Sequence, residues 1–160
     1  MQVPAGQTTL ERVSVLTVGL ADDDQTVLRE IFRRSDWALC RSCQFSICPR
    51  ANAASALAEI RARPVPVVLC DEAGRAESWK EMLEQLVRLP KPPCLIVTSR
   101  VADEYLWAEA LNLGAWDVLV KPFDRAEVER IVSLAWLHWK GRRTQSAGAA
   151  EFPAGARRAG

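Results

Sequence analysis

The chain has 160 residues, 49% of them apolar and 26% charged, with a formal net charge of +1. That length suits one domain with a single core, and the near-neutral balance gives no reason to expect a nucleic-acid partner or an anionic membrane surface. The first residues carry no basic segment, and the apolar run Val13 to Ala21 is short and broken by Ser14, Thr17 and Gly19. This argues against a signal peptide or a membrane-spanning helix and makes a cytoplasmic location the expectation.

Short β-rich runs alternate with helix-period segments along the chain. The first run, VSVLTVGLA (13–21), precedes a segment whose apolar residues Leu28, Ile31 and Phe32 recur at helical spacing. A second strand lies somewhere within WALCRSCQFSI (37–47), without a clear register. It is followed by Ala53, Ala56, Leu57 and Ile60, with Asn52 placed to cap that helix. VPVVLC (65–70) leads to Trp79, Met82, Leu83 and Leu86, and CLIVTS (94–99) to Leu106, Ala110 and Leu113, with Gly114 as a helix end. DVLVK (117–121) precedes Val128, Ile131, Val132 and Ala135, with Asp124 as the cap. Five β–α units in strict alternation predict a parallel sheet with helices on both faces. The near-continuous apolar third and fourth runs agree, because parallel strands are buried on both sides.

The expected organisation is a flexible arm over 1–11, a folded domain over 12–140 and a disordered tail over 141–160, the last rich in Gly, Ala and Arg without periodicity. Five cysteines fit free thiols, with Cys70 and Cys94 as small core residues. Cys40, Cys43 and Cys48 lack an obvious fourth metal ligand, since the single histidine, His138, is far away in sequence.

The polar residues that stand out fall at the C-terminal ends of the predicted strands: Asp22, Asp23 and Asp24 after the first, Asp71 after the third, Thr98 after the fourth and Lys121 after the fifth. Open α/β sheets bind ligands at that edge. In the flavodoxin-like order 2-1-3-4-5 the first and third strands are neighbours, so the Asp22–Asp23 pair would meet Asp71. Three carboxylates in one pocket repel unless bridged by a cation, and an all-oxygen cluster suits Mg²⁺. Lys121 supplies a point charge and Thr98 a hydroxyl donor for an incoming phosphoryl oxygen. Together these are the parts for phosphoryl transfer onto an aspartate.

The segments LADDDQTVLREIF, VVLCDEA, LIVTS and VLVKPF resemble the signature segments of the response-regulator receiver domain of two-component signalling, in that family's order and at roughly its spacings. The resemblance covers about Val13 to Lys140. It implies a flavodoxin-like (βα)5 fold with Asp71 as phosphoacceptor, supplied by a histidine kinase, a phosphorelay protein or a small phosphodonor. It implies Mg²⁺ held by Asp22, Asp23, Asp71 and the Ala73 carbonyl, Thr98 and Lys121 on the phosphoryl group, and a cis Lys121–Pro122 bond. It further implies a signalling protein whose only chemistry is self-catalysed phosphoryl transfer and autodephosphorylation.

Three features depart from the family pattern. The loop EAGRAESW after Asp71 lacks the usual proline and Asp–Gly turn, Val118 stands where an aromatic residue is common, and Trp37 to Asn52 is long. The tryptophans Trp116, Trp136 and Trp139 are hard to bury together, which predicts an apolar patch on the last helix. The face made by the fourth helix, fifth strand and fifth helix is the expected surface for a homodimer or a downstream protein. No helix-turn-helix pattern follows Gly141, so a stand-alone receiver is expected. Two other readings remain open. One is a degenerate receiver that binds partners without phosphorylation. The other is a haloacid-dehalogenase-type phosphatase, in which DDDQTVL would make Asp22 the nucleophile and Asp24 the general acid.

Overall fold

The computed structural model describes residues 9–74 and 78–149. Its elements, in chain order, are β1 (Glu11–Val18), α1 (Asp22–Arg34), β2 (Cys43–Arg50), α2 (Ala53–Ala62), β3 (Val67–Asp71), α3 (Trp79–Val87), β4 (Cys94–Ser99), α4 (Glu104–Leu113), β5 (Asp117–Val120) and α5 (Arg125–Ala149). The five strands form one parallel sheet in the order β2-β1-β3-β4-β5, the flavodoxin-like arrangement read from the alternation.

Side-chain alternation along the strands divides the core into two layers. On one face Val15, Val67, Leu69, Ile96 and Leu119 pack with Leu28, Phe32, Ile131 and Ala135 of α1 and α5. On the other, Leu16, Val68, Cys70, Leu95, Val97 and Val118 pack with α2, α3 and α4 through Leu57, Met82, Leu83 and Leu106. All five residues of β3 are buried. Helix ends follow the expected chemistry. Asn52 and Ser55 form a reciprocal capping box, Asp124 Oδ2 accepts from Glu127 N at 3.0 Å, and Gly114 ends α4 at φ 104°, a left-handed conformation that favours glycine.

Several expectations change. The second strand begins at Cys43, later than the start of the run that suggested it, because the chain first turns through Trp37 to Ser42. Trp37 folds back onto Phe32 and Phe45, with ring centroids 5.0 and 4.2 Å away. In that turn Cys43 N donates to Cys40 O at 3.1 Å, the Cα atoms lie 5.5 Å apart, and Cys40 and Cys43 form a disulfide rather than two free thiols. Cys48, Cys70 and Cys94 stay outside the disulfide as thiols, the last two buried as expected. Burial pushes the Cys94 thiol up to about 11.

The last helix runs past the expected boundary at Lys140 through to Ala149. The expectations for the arm and the far tail fall on residues 1–8 and 150–160, outside the described residues. Trp136 and Trp139 are both buried, stacked at 5.7 Å, and Trp116 is half-buried against the His138 ring at 4.6 Å. The apolar surface that α5 leaves in solvent is Leu134 and Leu137, so the tryptophans do not form the predicted patch. Among the described residues no helix is long and apolar enough to cross a membrane.

Two tests follow from this packing. Leu69→Ala should destabilise the fold by about 2–5 kcal/mol. Leu134→Ala, at a site 40% exposed, should stay within about 0.5 kcal/mol of wild type, both read from urea denaturation. Iodoacetamide at about pH 8 should modify the half-buried Cys48 in the folded protein and leave Cys70 and Cys94 intact, as peptide mass mapping would show.

Candidate functional site

The parallel registers bring three residues to one edge. Asp71 pairs with Thr98 across β3 and β4, and the β4–β5 pairing ends at Ser99 and Val120, one residue before Lys121. Backbone bonds extend this alignment past the strand ends, from Glu72 N to Thr98 O at 2.9 Å and from Lys121 N to Ser99 O at 2.8 Å. The Lys121–Pro122 bond is cis.

Asp71 is 6% exposed. Its Oδ1 accepts from Thr98 Oγ1 at 2.7 Å and lies 2.6 Å from Lys121 Nζ. Its Oδ2 accepts from Ala73 N at 3.2 Å. The same Lys121 ammonium donates to Asp24 Oδ2 at 2.8 Å, so it is clasped between two carboxylates. Burial acts to lower the Lys121 pKa, but the hydrogen bonds and charges of Asp24 and Asp71 outweigh it and raise the value above the usual lysine range. Beside this group Ser99 Oγ donates to Glu72 and accepts from Val101 N at 3.1 Å, tying the loop after β3 to the end of β4. The cavity over the group has a volume of about 670 Å³, with Asp24, Asp71, Glu72, Arg100 and Lys121 among its lining residues.

Asp22 and Asp23 are not brought into this cavity. The β1–β3 pairing ends at Val18 opposite Cys70, so the residue beside Asp71 at the sheet edge is Gly19. Gly19 has φ 75°, and a Cβ built on it would stand 3.2 Å from Gly74 Cα. The chain then passes through Leu20 and Ala21, and the run of acids begins only at the first turn of α1. Asp22 and Asp23 are exposed there; Asp22 lines a neighbouring cleft with Arg29 and Pro49. Asp24 is the acid that turns inward. It shares the helix face of Leu28 and Ile31 at spacings of four and seven, the face that packs on the sheet.

The magnesium set implied by the resemblance, Asp22, Asp23, Asp71 and the Ala73 carbonyl, is therefore not assembled. Among the described residues no group of three or more His, Cys, Asp or Glu is placed to hold a metal ion. Of that set only Asp71 and Ala73 line the cavity, and it is the Lys121 ammonium that stands against the Asp71 carboxylate. The physical reason is the early end of β1, which moves the acids from the sheet edge onto the helix. The same placement leaves a phosphatase without its nucleophile, since Asp22 lies outside the cavity.

Two contacts at the site were not read from the sequence, the Asp24–Lys121 ion pair and the Ser99–Glu72 hydrogen bond. Asp24 had a signal in its helical spacing from Leu28. The Ser99–Glu72 contact depends on a loop path that no local pattern encodes. The unusual loop EAGRAESW is described only in part, because residues 75–77 lie outside the described residues. Trp79, at its end, is buried as the first residue of α3.

Comparisons with known proteins bear on the family and the fold. The family described as "Response regulator receiver domain" matches residues 18–133. The transcriptional regulatory protein ZraR of Salmonella typhimurium is 31% identical over 118 residues, which are 72% of this chain and 26% of that protein. The protein of the same name from Klebsiella oxytoca is 30% identical over 132 residues, 80% of this chain and 27% of its own length. The chain thus spans about a quarter of the length of the curated relatives it matches. Among solved structures, the signal receiver domain of an HD domain-containing protein from Pseudomonas fluorescens Pf-5 superposes with a TM-score of 0.69 at 19% identity, covering 84% of this chain and 93% of that one. The co-crystal of the Saccharomyces cerevisiae histidine phosphotransfer protein Ypd1 with the receiver domain of Ssk1 gives 0.58 at 16% identity, covering 74% and 85%. At these identities the structures share the fold.

The close packing at Gly19 has a measurable consequence. Gly19→Ala should lower stability by more than about 1 kcal/mol, because the side chain meets both a left-handed backbone and the Gly74 main chain. Thermal denaturation would register the loss, and an unchanged melting temperature would show that the Gly19–Gly74 approach is looser than described.

Proposed function

This chain belongs to the response regulator receiver domain family, and on that premise we propose that it is a phosphorylatable signalling receiver with Asp71 as its acceptor. The observation that carries this reading is the convergence of Thr98 Oγ1 and Lys121 Nζ on one oxygen of a buried carboxylate. An Asp71 oxygen attacks the phosphorus of the donor, and a P–O bond forms as the P–N bond of a phosphohistidine, or the P–O bond of an acyl phosphate, breaks. The leaving group departs with the bonding electron pair and takes a proton from water. The Thr98 hydroxyl and the Lys121 ammonium, already aimed at Asp71, then serve the new phosphoryl oxygens.

The donor proposed is a sensor histidine kinase or a phosphotransfer protein, the kind of partner seen with the Ssk1 receiver domain. The output surface proposed is the α4–β5–α5 face, where Tyr105, Leu111 and Leu113 are exposed. Ser99 and Val101 continue β4 from Thr98 toward α4, so a phosphoryl group bonded to Thr98 acts at the root of that face. A second reading has its own support: the placement of Asp22 and Asp23 outside the cavity favours a receiver that binds its partner without phosphorylation.

Incubation with radiolabelled acetyl phosphate, in buffers with and without Mg²⁺, separates the two. The expected product is an acid-stable, base-labile phosphoprotein whose label disappears in Asp71→Asn. Thr98→Ala should slow labelling by roughly a hundredfold, the effect of losing one preorganised donor. Label that persists in Asp71→Asn would sink the acceptor assignment. No label in either buffer, with partner binding intact, would establish the phosphorylation-independent module.

A further inference from the structure

Two acids, the half-buried Asp24 and the buried Asp71, share a single ammonium. Lys121 Nζ stands 2.8 Å from Asp24 Oδ2 and 2.6 Å from Asp71 Oδ1, with the lysine side chain only 9% exposed. That is the position, between carboxylates at the mouth of a cavity, in which a bridging cation would relieve their repulsion. The acids expected to recruit such a cation, Asp22 and Asp23, are exposed on α1, and the sheet-edge position beside Asp71 belongs to Gly19, which carries no side-chain carboxylate. The contact that Asp24 makes is also specific to its place on the helix, one turn before Leu28 on the core-facing stripe.

We infer that in this chain the Lys121 ammonium, held by Asp24, does the charge-neutralising work at Asp71 that the expected acid pair would assign to a divalent cation. Asp24 is a positioning residue in this arrangement: it acts on the acceptor through Lys121 and not by ligating a metal. The functional weight of this inference rests on Asp71 being the acceptor, as proposed above, but its test does not use phosphoryl transfer.

Mn²⁺ binding to the full chain, followed by the electron paramagnetic resonance of the free ion, provides that test. Wild-type protein should bind Mn²⁺ weakly, and Asp22→Asn with Asp23→Asn should leave the affinity within about twofold. Lys121→Met, which uncovers two facing carboxylates, should tighten binding by about tenfold or more, and adding Asp24→Asn should remove that gain. A wild-type affinity that collapses by about tenfold in the Asp22/Asp23 double variant would overturn the inference. So would a gain in Lys121→Met that survives loss of Asp24.

A second measurement keeps the lysine in place. Acetylation of Lys121 by an amine-reactive ester, mapped by mass spectrometry, should rise by about fivefold or more in Asp24→Asn and stay unchanged when millimolar Mg²⁺ is added to wild type. Equal unmasking of Lys121 by Mg²⁺ would mean that the cation displaces the ammonium, against the inference. Labelling of Asp71 by acetyl phosphate stands or fails independently of both readouts.

Discussion

Asp71 ends a strand that is buried over its whole length, and a carboxylate in that position persists only if charged or hydrogen-bonding partners come to meet it. The partners come from the neighbouring strands in order. Thr98 stands directly opposite on β4, and Lys121 follows β5 with its backbone bonded to Ser99. No loop rearrangement is needed to form the pair, because the parallel register delivers both groups to one oxygen. The lysine in turn is shared with Asp24 from α1, so the helix that covers one face of the sheet is joined electrostatically to its C-terminal edge. Removing Lys121 leaves both carboxylates without their shared cation, whereas removing either acid leaves the lysine paired with the other.

The alternation of strands and helices was legible because each helix carries its apolar residues at three and four and each buried strand carries them continuously. Capping residues were legible for the same local reason: Asn52 and Asp124 bond to backbone amides within three positions of themselves. Where a strand stops was not legible, and that decided the site. VSVLTVGLA reads as one run up to Ala21, yet the strand ends at Val18 and Gly19 turns with φ 75°. A glycine inside an apolar run signals a break or a close backbone approach, and here it does both. Three residues of difference carry two carboxylates from the sheet edge out into solvent and turn a third inward.

The remaining misreadings have a common cause in contacts that bring distant residues together. The turn from Trp37 to Ser42 is set by an aromatic cluster with Phe32 and Phe45 and by the pairing of Cys40 with Cys43, neither of which follows a period. The apolar residues off the main stripe of α5 suggested an exposed surface. Instead Trp136 and Trp139 complete the core layer shared with α1, and Lys140 reaches Glu11 of β1 at 3.1 Å. An amphipathic pattern describes a helix covered on one side. It underestimates burial where a helix also packs along the sheet beyond its first turns.

The loop after β3 links Asp71 to the rest of the molecule in a way that does not depend on the missing turn signature. Glu72 follows Asp71 directly. Its backbone N–H bonds to Thr98 O and its carboxylate accepts from Ser99, whose hydroxyl also receives the Val101 amide. Thr98 and Ser99 are therefore tied on one side to the loop that follows Asp71 and on the other to the segment leading into α4. Val118, in place of an aromatic residue on β5, is fully buried and packs with Val97, offering no side chain that could swing outward. The described contacts lead outward from Asp71 in two directions, through the β4 hydroxyls to Val101 ahead of α4 and through Lys121 to Asp24 of α1.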